Sequence, residues 1–276
     1  MKNTYENLSE DQVKAYFNRL GISVESDGLP EPSLGLLNQL IEAHQKTIPF
    51  EDLEVYFQRL PLSLEVQDLY EKIIVRKRGG YCFELNGLFI SLLRSLGFDA
   101  WSCLCRVIRG RDLIRPVSHR GNIIRIEGKL YFCDVGFGGP MSCHAVLLES
   151  GLHQQIGEEE FWPVEEENGW WSMMRYKKGK QDDYDAEKEI GEQMELMFQS
   201  AQADPVDFIP LNLFLTDNPE SLFRSTFIAN IRTDHGYRNI QDMVFTVKEN
   251  GVVTRRELSD EEERMNVLKT YFDIVL

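Results

Sequence analysis

The sequence predicts an α+β protein, with helices first, antiparallel strands next and a mixed tail. Three observations carry this. Apolar residues recur three and four apart up to Gly97, every second residue after it, and in alternating helical and strand patterns beyond about residue 204. With 276 residues the chain is long enough for about two domains and for a core that needs no disulfide or metal staple.

The helical part opens with Ser9 and Gln12 as a capping box. Val13, Tyr16, Phe17 and Leu20 then share one face, and Gly21 closes the helix. "DGLPEP" (27–32) reads as a loop. Ser33 caps a second helix whose stripe is Leu37, Leu40, Ile41 and His44, with His44 packed in or at its edge, and Pro49 ends that run. A third helix carries Leu85, Leu88, Phe89, Leu92 and Leu96 and stops at Gly97.

Beyond Gly97, "AWSCLCRVI" (100–108) alternates Trp101, Cys103, Cys105 and Val107 with Ala100, Ser102, Leu104 and Arg106, as a strand does. "HRGNIIRI" (119–126) and "KLYFCDVGF" (129–137) form a hairpin about Glu127-Gly128. "AVLLES" (145–150) and "WWSMMRY" (170–176) read as further strands. The acidic run between them, "GEEEFWPVEEEN" (157–168), reads as a solvated loop. The polar stretch "GKQDDYDAEKEIGEQ" (179–193) reads as a mobile segment near a boundary at about residue 200. In the tail, "PVDFIPLNLFL" (205–215) suggests a helix or turn. "FRSTFIANIRT" (223–233), "QDMVFTVKEN" (241–250) and "VVTRREL" (252–258) suggest strands. Ser259 with Glu262 caps a last helix bearing Met265, Leu268 and Phe272.

A net charge of −15 argues against a general nucleic-acid binder, which needs clustered basic residues. Arg106, Arg109, Arg111 and Arg115 form a local basic cluster, either a solvated loop or an attractor for an anionic ligand. No apolar stretch approaches the roughly 18 residues of a membrane span, and the first residues lack a signal-peptide core. The expectation is a cytoplasmic protein whose five cysteines stay reduced. Cys103 and Cys105 are spaced C-x-C and Cys143 adjoins His144. Neither gives the paired spacings of a zinc site, so no metal is expected.

The stretch "RGGYCFELNG" (78–87) places Cys82 in the first turn of the third helix. Unpaired N–H groups and the positive end of the helix dipole favour a thiolate there, and Gly79 and Gly80 permit a sharp approach. A nucleophilic cysteine needs a base and a group to orient it. In the hairpin Ile126 faces Lys129, so Asp134 faces Gly121 and lies diagonal to His119 on the same side. Diagonal partners are about 7 to 8 Å apart at the backbone, within hydrogen-bond reach for these side chains, and Gly121 leaves the space between them open. Cys133 points to the opposite side, into core. A Cys82–His119–Asp134 set serves several acyl chemistries: cysteine peptidases and transglutaminase-like proteins use it too.

"RGGYCFELN" closely resembles the nucleophile motif of the arylamine N-acetyltransferases. "IPFEDL" (48–53), "SHR" (118–120), "DVGFGG" (134–139) and, more weakly, "DNPESLF" (217–223) resemble that family's other signatures in the same order. The likeness runs from about residue 5 to the C-terminus. It implies a helical bundle (1–97) carrying Cys82, an antiparallel β-barrel (98–203) carrying His119 and Asp134, and an α/β lid (204–276), with a triad like that of cysteine proteases. It implies acetyl-CoA as donor, arylamines, arylhydrazines or N-hydroxyarylamines as acceptors, and transfer through a Cys82 thioester. Phe50 and Phe137 would line the acceptor pocket, and Val107 and Ser118 fall where family members approach the cofactor. Arg78 and Glu51 would form a bridge that fixes the nucleophile motif. Two departures, "SCHAV" (142–146) and Leu85 where a polar residue is common, bear on the acceptor. Rival readings are an amide synthase of the same fold and a non-catalytic binding protein; the oligomeric state is left open.

Overall fold

The computed structural model describes residues 5–23, 28–58, 62–111, 113–139, 141–177 and 191–276. The helical part holds α1 (Glu10–Arg19), α2 (Leu34–Thr47), α3 (Leu53–Gln58), α4 (Val66–Tyr70) and α5 (Cys82–Ser95). A single π-helical turn, Glu71–Val75, continues α4. The capping box at Ser9 and Gln12 and the cap at Ser33 form as the sequence predicts. α3, α4 and the π turn lie in a stretch whose mixed spacing announced no helix.

α5 is the axis of this part. The sequence suggested a stripe, but every residue from Cys82 to Leu93 is buried, because α1, α4 and the strands Asp99–Val107 and His119–Ile126 all pack around it. An apolar helix enclosed on all sides is a core element rather than a surface one. Truncating a ring such as Phe89, fully buried there, costs about 3–5 kcal/mol.

The central sheet has eight strands: β2 (Asp99–Val107), β3 (His119–Ile126), β4 (Lys129–Cys133), β5 (Val146–Leu147), β6 (Gln154–Ile156), β7 (Glu159–Glu165), β8 (Trp170–Lys177) and β9 (Gly191–Gln199). Their order is β5-β4-β3-β2-β9-β8-β7-β6, all antiparallel. The two edges meet through a side chain. Gln154 of β6 accepts from the Leu147 N–H at 2.9 Å and donates to the Leu147 C=O at 3.0 Å, so its amide stands in for a strand neighbour and draws the sheet into a nearly closed barrel.

Two expectations fail in this sheet. The acidic run 157–168 is not a solvated loop: it contains β7, with Phe161, Trp162 and Pro163 buried. Its glutamates sit at the half-buried and exposed positions of the strand, and their density masks the two-residue period. Likewise 191–193, read with the mobile segment, begin β9, which joins β2 to β8; residues 178–190 of that segment lie outside the described residues. The strand expected over 145–150 shortens to Val146–Leu147.

The tail holds α6 (Phe208–Asp217), α7 (Leu222–Ser225), strands β10 (Ile228–Thr233), β11 (Gly236–Gln241), β12 (Val244–Glu249) and β13 (Val252–Glu257), and α8 (Glu261–Phe272). The strands form a meander whose far edge is β1 (Phe50–Glu51) from the helical part. β11 was not foreseen, and 222–225 is helical rather than extended. The final cap is Asp260, one residue later than expected. Its carboxylate accepts the Glu263 N–H at 2.9 Å, and Glu263 accepts the Ser259 N–H at 2.7 Å, because the first turn begins at Glu261. Among the described residues, no helix is long and apolar enough to cross a membrane.

Candidate active site

The chain reaches the site through a tight turn before α5. Glu51 clamps this turn. It takes a two-point bond from Arg78, at 2.9 and 2.8 Å, and also accepts the Gly79 and Leu53 N–H groups. Glu51 stays ionised though buried: desolvation raises its carboxyl, and Lys72 and Arg78 more than offset that. Gly79 is demanded by closeness, since a Cβ there would lie 2.1 Å from the Pro49 carbonyl oxygen. The Glu51 N–H donates to the Gly80 carbonyl at 2.9 Å, so β1 runs beside the turn like a short parallel strand. α5 then begins at Cys82, which is 3% exposed.

The hairpin brings the other two residues as the register argument requires. Ile126 pairs with Lys129 and Asn122 with Cys133. Asp134 follows directly, and its Oδ2 lies 2.6 Å from His119 Nε2. Asp134 takes one ring nitrogen, and the Cys82 sulfur is the other group that acts on the charge of the ring. Burial pulls the imidazole down, but the Asp134 carboxylate and the Cys82 sulfur more than reverse this and hold it up at about 10. The Cys82 thiol also faces the Ser118 carbonyl, at 3.9 Å.

Gly121 does not leave open space as expected. A Cβ there would meet the Phe132 ring at 2.6 Å and Cys105 Sγ at 3.0 Å, so an aromatic ring fills the space beside the histidine–aspartate pair. Cys105 pairs across the strands with His119, and burial pushes its thiol up, as it does that of Cys133. Cys143 sits in a bend and is only partly buried.

Sequence reasoning missed the residue that ties α5 to the aspartate. Asn86 Nδ2 donates to Asp134 Oδ1 at 2.8 Å and to the Arg120 carbonyl at 2.6 Å. Its Oδ1 accepts from the Val135 N–H at 3.1 Å and from Asn122 Nδ2 at 3.2 Å. The signal was available: Asn86 is four residues from Cys82, hence on the same helical face. Gly136 completes the fit, since a Cβ on it would stand 2.9 Å from Asn86 Nδ2 and 3.0 Å from Cys82 Cα. Its N–H donates to Asp134 Oδ1 at 2.8 Å. Arg120, also unforeseen, is buried behind His119. Its Nε donates to Ser102 Oγ at 2.9 Å, its guanidinium stacks over Phe208, and burial draws it down to about 10.

The remaining predicted residues lie around this centre. The Phe137 ring meets His119 edge-on, 5.6 Å between centroids. Phe137 and Phe50 both line a small half-open cleft with Ile48, Val135 and Met141, and Arg232 and Asn230 stand at its rim. Ser118 precedes His119, and Val107 is half-buried at the end of β2, opposite Leu196. Of the basic cluster, Arg109 lies over the Phe137 ring and Arg106 over Trp170, so two of the four stack on aromatic rings rather than extend into solvent.

A thiol in a first helical turn, with a buried imidazole and a carboxylate bonded to that imidazole, can form and break a covalent acyl bond. The comparisons agree with that chemistry. The model of a family described as N-acetyltransferase matches residues 33–276. The chain is 30% identical over 262 residues to the arylamine N-acetyltransferase of Escherichia coli K12, covering 94% of this chain and 87% of that protein. It is 36% identical over 165 residues to the arylamine N-acetyltransferase / N-hydroxyarylamine O-acetyltransferase of Salmonella typhimurium, covering 59% of this chain and 57% of that protein. Against the solved structure of an arylamine N-acetyltransferase from Salmonella typhimurium the TM-score is 0.84 at 27% identity, with 98% of this chain and 92% of that one covered.

Proposed function

Because the chain belongs to the arylamine N-acetyltransferase family, we propose that Cys82, His119 and Asp134 are its catalytic residues and that the acetyl group passes through a thioester on Cys82. The observation that carries this reading is the buried trio: Asp134 Oδ2 lies 2.6 Å from His119 Nε2, and the Cys82 thiol at the start of α5 faces the carbonyl of Ser118, the residue before His119.

An imidazole held up at about 10 keeps its proton through the neutral range, and in this reading Cys82 reacts as the thiolate beside it. The sulfur attacks the carbonyl carbon of acetyl-CoA. The tetrahedral intermediate collapses by breaking the bond to the CoA sulfur, and that sulfur leaves as thiol with the His119 proton. The amine nitrogen then attacks the acetyl-cysteine, now-neutral His119 takes the amine proton, and Cys82 departs as thiolate. Asp134 holds the ring in place and stabilises its charged form in both halves. The Glu84 and Leu85 N–H groups already donate to the Tyr81 carbonyl, which leaves the N–H groups of Cys82 and Phe83 as those suited to the developing oxyanion.

The donor is acetyl-CoA, with Val107 and Ser118 on its approach. The acceptor is a small aromatic amine, hydrazine or N-hydroxyarylamine, with Phe50 and Phe137 against its ring. A cleft lined by Phe50 and Phe137, of which the Phe137 ring meets His119 edge-on, supports this choice of acceptor. Acetyl-CoA without amine adds one acetyl mass to Cys82, and an arylamine discharges it. Double-reciprocal plots are parallel, and Cys82→Ala abolishes both labelling and turnover. With p-nitrophenyl acetate, turnover rises when arylamine is added. Intersecting lines with no label on Cys82 would replace this mechanism by direct transfer, and turnover indifferent to amine would make the protein a hydrolase.

A further inference from the structure

Directly beneath the nucleophile turn lies a second group of buried charges that the mechanism above does not use. Lys72 sits in the π-helical turn, a feature frequent at functional sites, and its side chain is 5% exposed. Its ammonium lies 2.7 Å from Glu84 Oε1 and 3.1 Å from Glu54 Oε2. Glu84, 2% exposed, belongs to the first turn of α5, two residues beyond Cys82. Its other oxygen accepts the Tyr81 N–H at 3.0 Å, which fixes the residue just before Cys82. The Lys72 carbonyl in turn accepts the Arg78 N–H at 3.0 Å, so the π turn and the nucleophile turn are joined at both backbone and side chain.

We propose that Lys72 is a positioning residue for Cys82: it pins Glu84 against the start of α5 and cancels the charge that this carboxylate brings to the turn holding the sulfur. The proposal rests on Cys82 being the nucleophile. A carboxylate at a helix start satisfies free N–H groups, but it also opposes any second negative charge in the same turn. Glu84 therefore helps the turn and hinders the thiolate, and a buried cation on its far side separates the two effects. The charges respond as this arrangement requires. Burial raises the Glu84 carboxyl and Lys72 offsets only part of that rise; burial lowers the Lys72 ammonium, and Glu84, Glu51 and Glu54 lift it above its usual value. The other groups facing Cys82 are His119, Arg120 and Tyr81, and the variants below leave all of them in place.

The test is the pH at which Cys82 reaches half its maximal rate of alkylation by iodoacetamide, followed by the mass of the Cys82 peptide. Lys72→Met leaves Glu84 uncompensated and moves that midpoint up by about one unit. Glu84→Gln keeps an acceptor for the Tyr81 N–H but removes the charge, and moves the midpoint down. The double variant returns towards wild type, and Lys72→Arg stays near it. A merely structural lysine would not give shifts of opposite sign. An unmoved midpoint in folded Lys72→Met, or an unmoved or raised one in Glu84→Gln, overturns the proposal. If Lys72→Met does not fold, Glu84→Gln decides alone. Because alkylation is read by mass, failure of the nucleophile assignment shows separately, as acetyl transfer that survives full alkylation of Cys82.

Discussion

Two histidines in this protein are equally buried and behave as opposites. His119 and His44 are 2% and 0% exposed. His119 lies between Asp134 and Cys82 and is held up at about 10. His44 lies between the rings of Phe89 and Tyr16, at 5.4 and 6.0 Å, and neither of its nitrogens has a protein partner. Burial, with Arg19 acting in the same direction, pushes it down to about 3. Both rings lie next to α5, one near its start and one against Phe89. Burial therefore does not decide whether an imidazole is charged; the presence of an anion at hydrogen-bond distance does.

The sharpest way to break this contrast is to remove the anion. Asp134→Asn should fold and lose about 10³- to 10⁴-fold in kcat/KM, because the amide cannot stabilise the charged ring. A folded variant with near-normal rate would take Asp134 out of the mechanism.

The contrast also predicts two pH limbs in stability. His119 is raised above its usual 6.5, so its contribution is full below about 6.5 and is lost as pH rises towards 10. His44 is depressed, so its contribution is full above about 6.5 and is lost as pH falls towards 3. Each limb has a slope of up to about 1.4 kcal/mol per pH unit. Urea midpoints across pH should fall at both ends, His119→Gln flattening the alkaline limb and His44→Leu the acid one. If either substitution leaves its limb unchanged, the assigned histidine is wrong. His44→Leu should in addition raise stability by about 1–3 kcal/mol at pH 5, since it removes buried polar atoms without partners. A loss there would mean that the ring nitrogens are satisfied in solution. The smallest effect expected is that of Phe137→Leu, which removes the ring edge from His119 but keeps apolar bulk. It should raise KM for an arylamine several-fold and leave Cys82 acetylation by acetyl-CoA near wild type. Equal loss in both half-reactions would assign Phe137 to the histidine rather than to the acceptor.

Much of this centre was legible in the sequence because local rules fixed it. A two-residue turn at Glu127-Gly128 sets the register, and register alone places Asp134 diagonal to His119. The apolar spacing from Leu85 onward, counted back, places Cys82 in a first turn. What was not legible depends on partners distant in the chain. Lys72 is buried in a π turn, and nothing in "EKIIV" announces that turn. β7 hides under its glutamates, two of whose neighbours, Arg175 and Arg232, come from β8 and β10 to meet Glu159. His44 was readable as a packed residue, but the absence of a polar partner for its ring follows from α1 and α5 closing over it.

β1 has a consequence for how the protein comes into being. Phe50 and Glu51 pair with Asn230 and Ala229 on one side, while Phe50 bridges to Gly80 on the other. The strand that braces the nucleophile turn is thus itself braced by residues made far later. A chain leaves the ribosome N-terminus first and tends to fold in that order, so the helical part can collapse around α5 well before β10 exists. Until β10 arrives, the edge of β1 is open and the turn that presents Cys82 is held from one side only. Synthesis therefore sets a sequence of events in which the reactive sulfur gains its full geometry last, and a prematurely terminated chain carries the cysteine without the support that its chemistry needs.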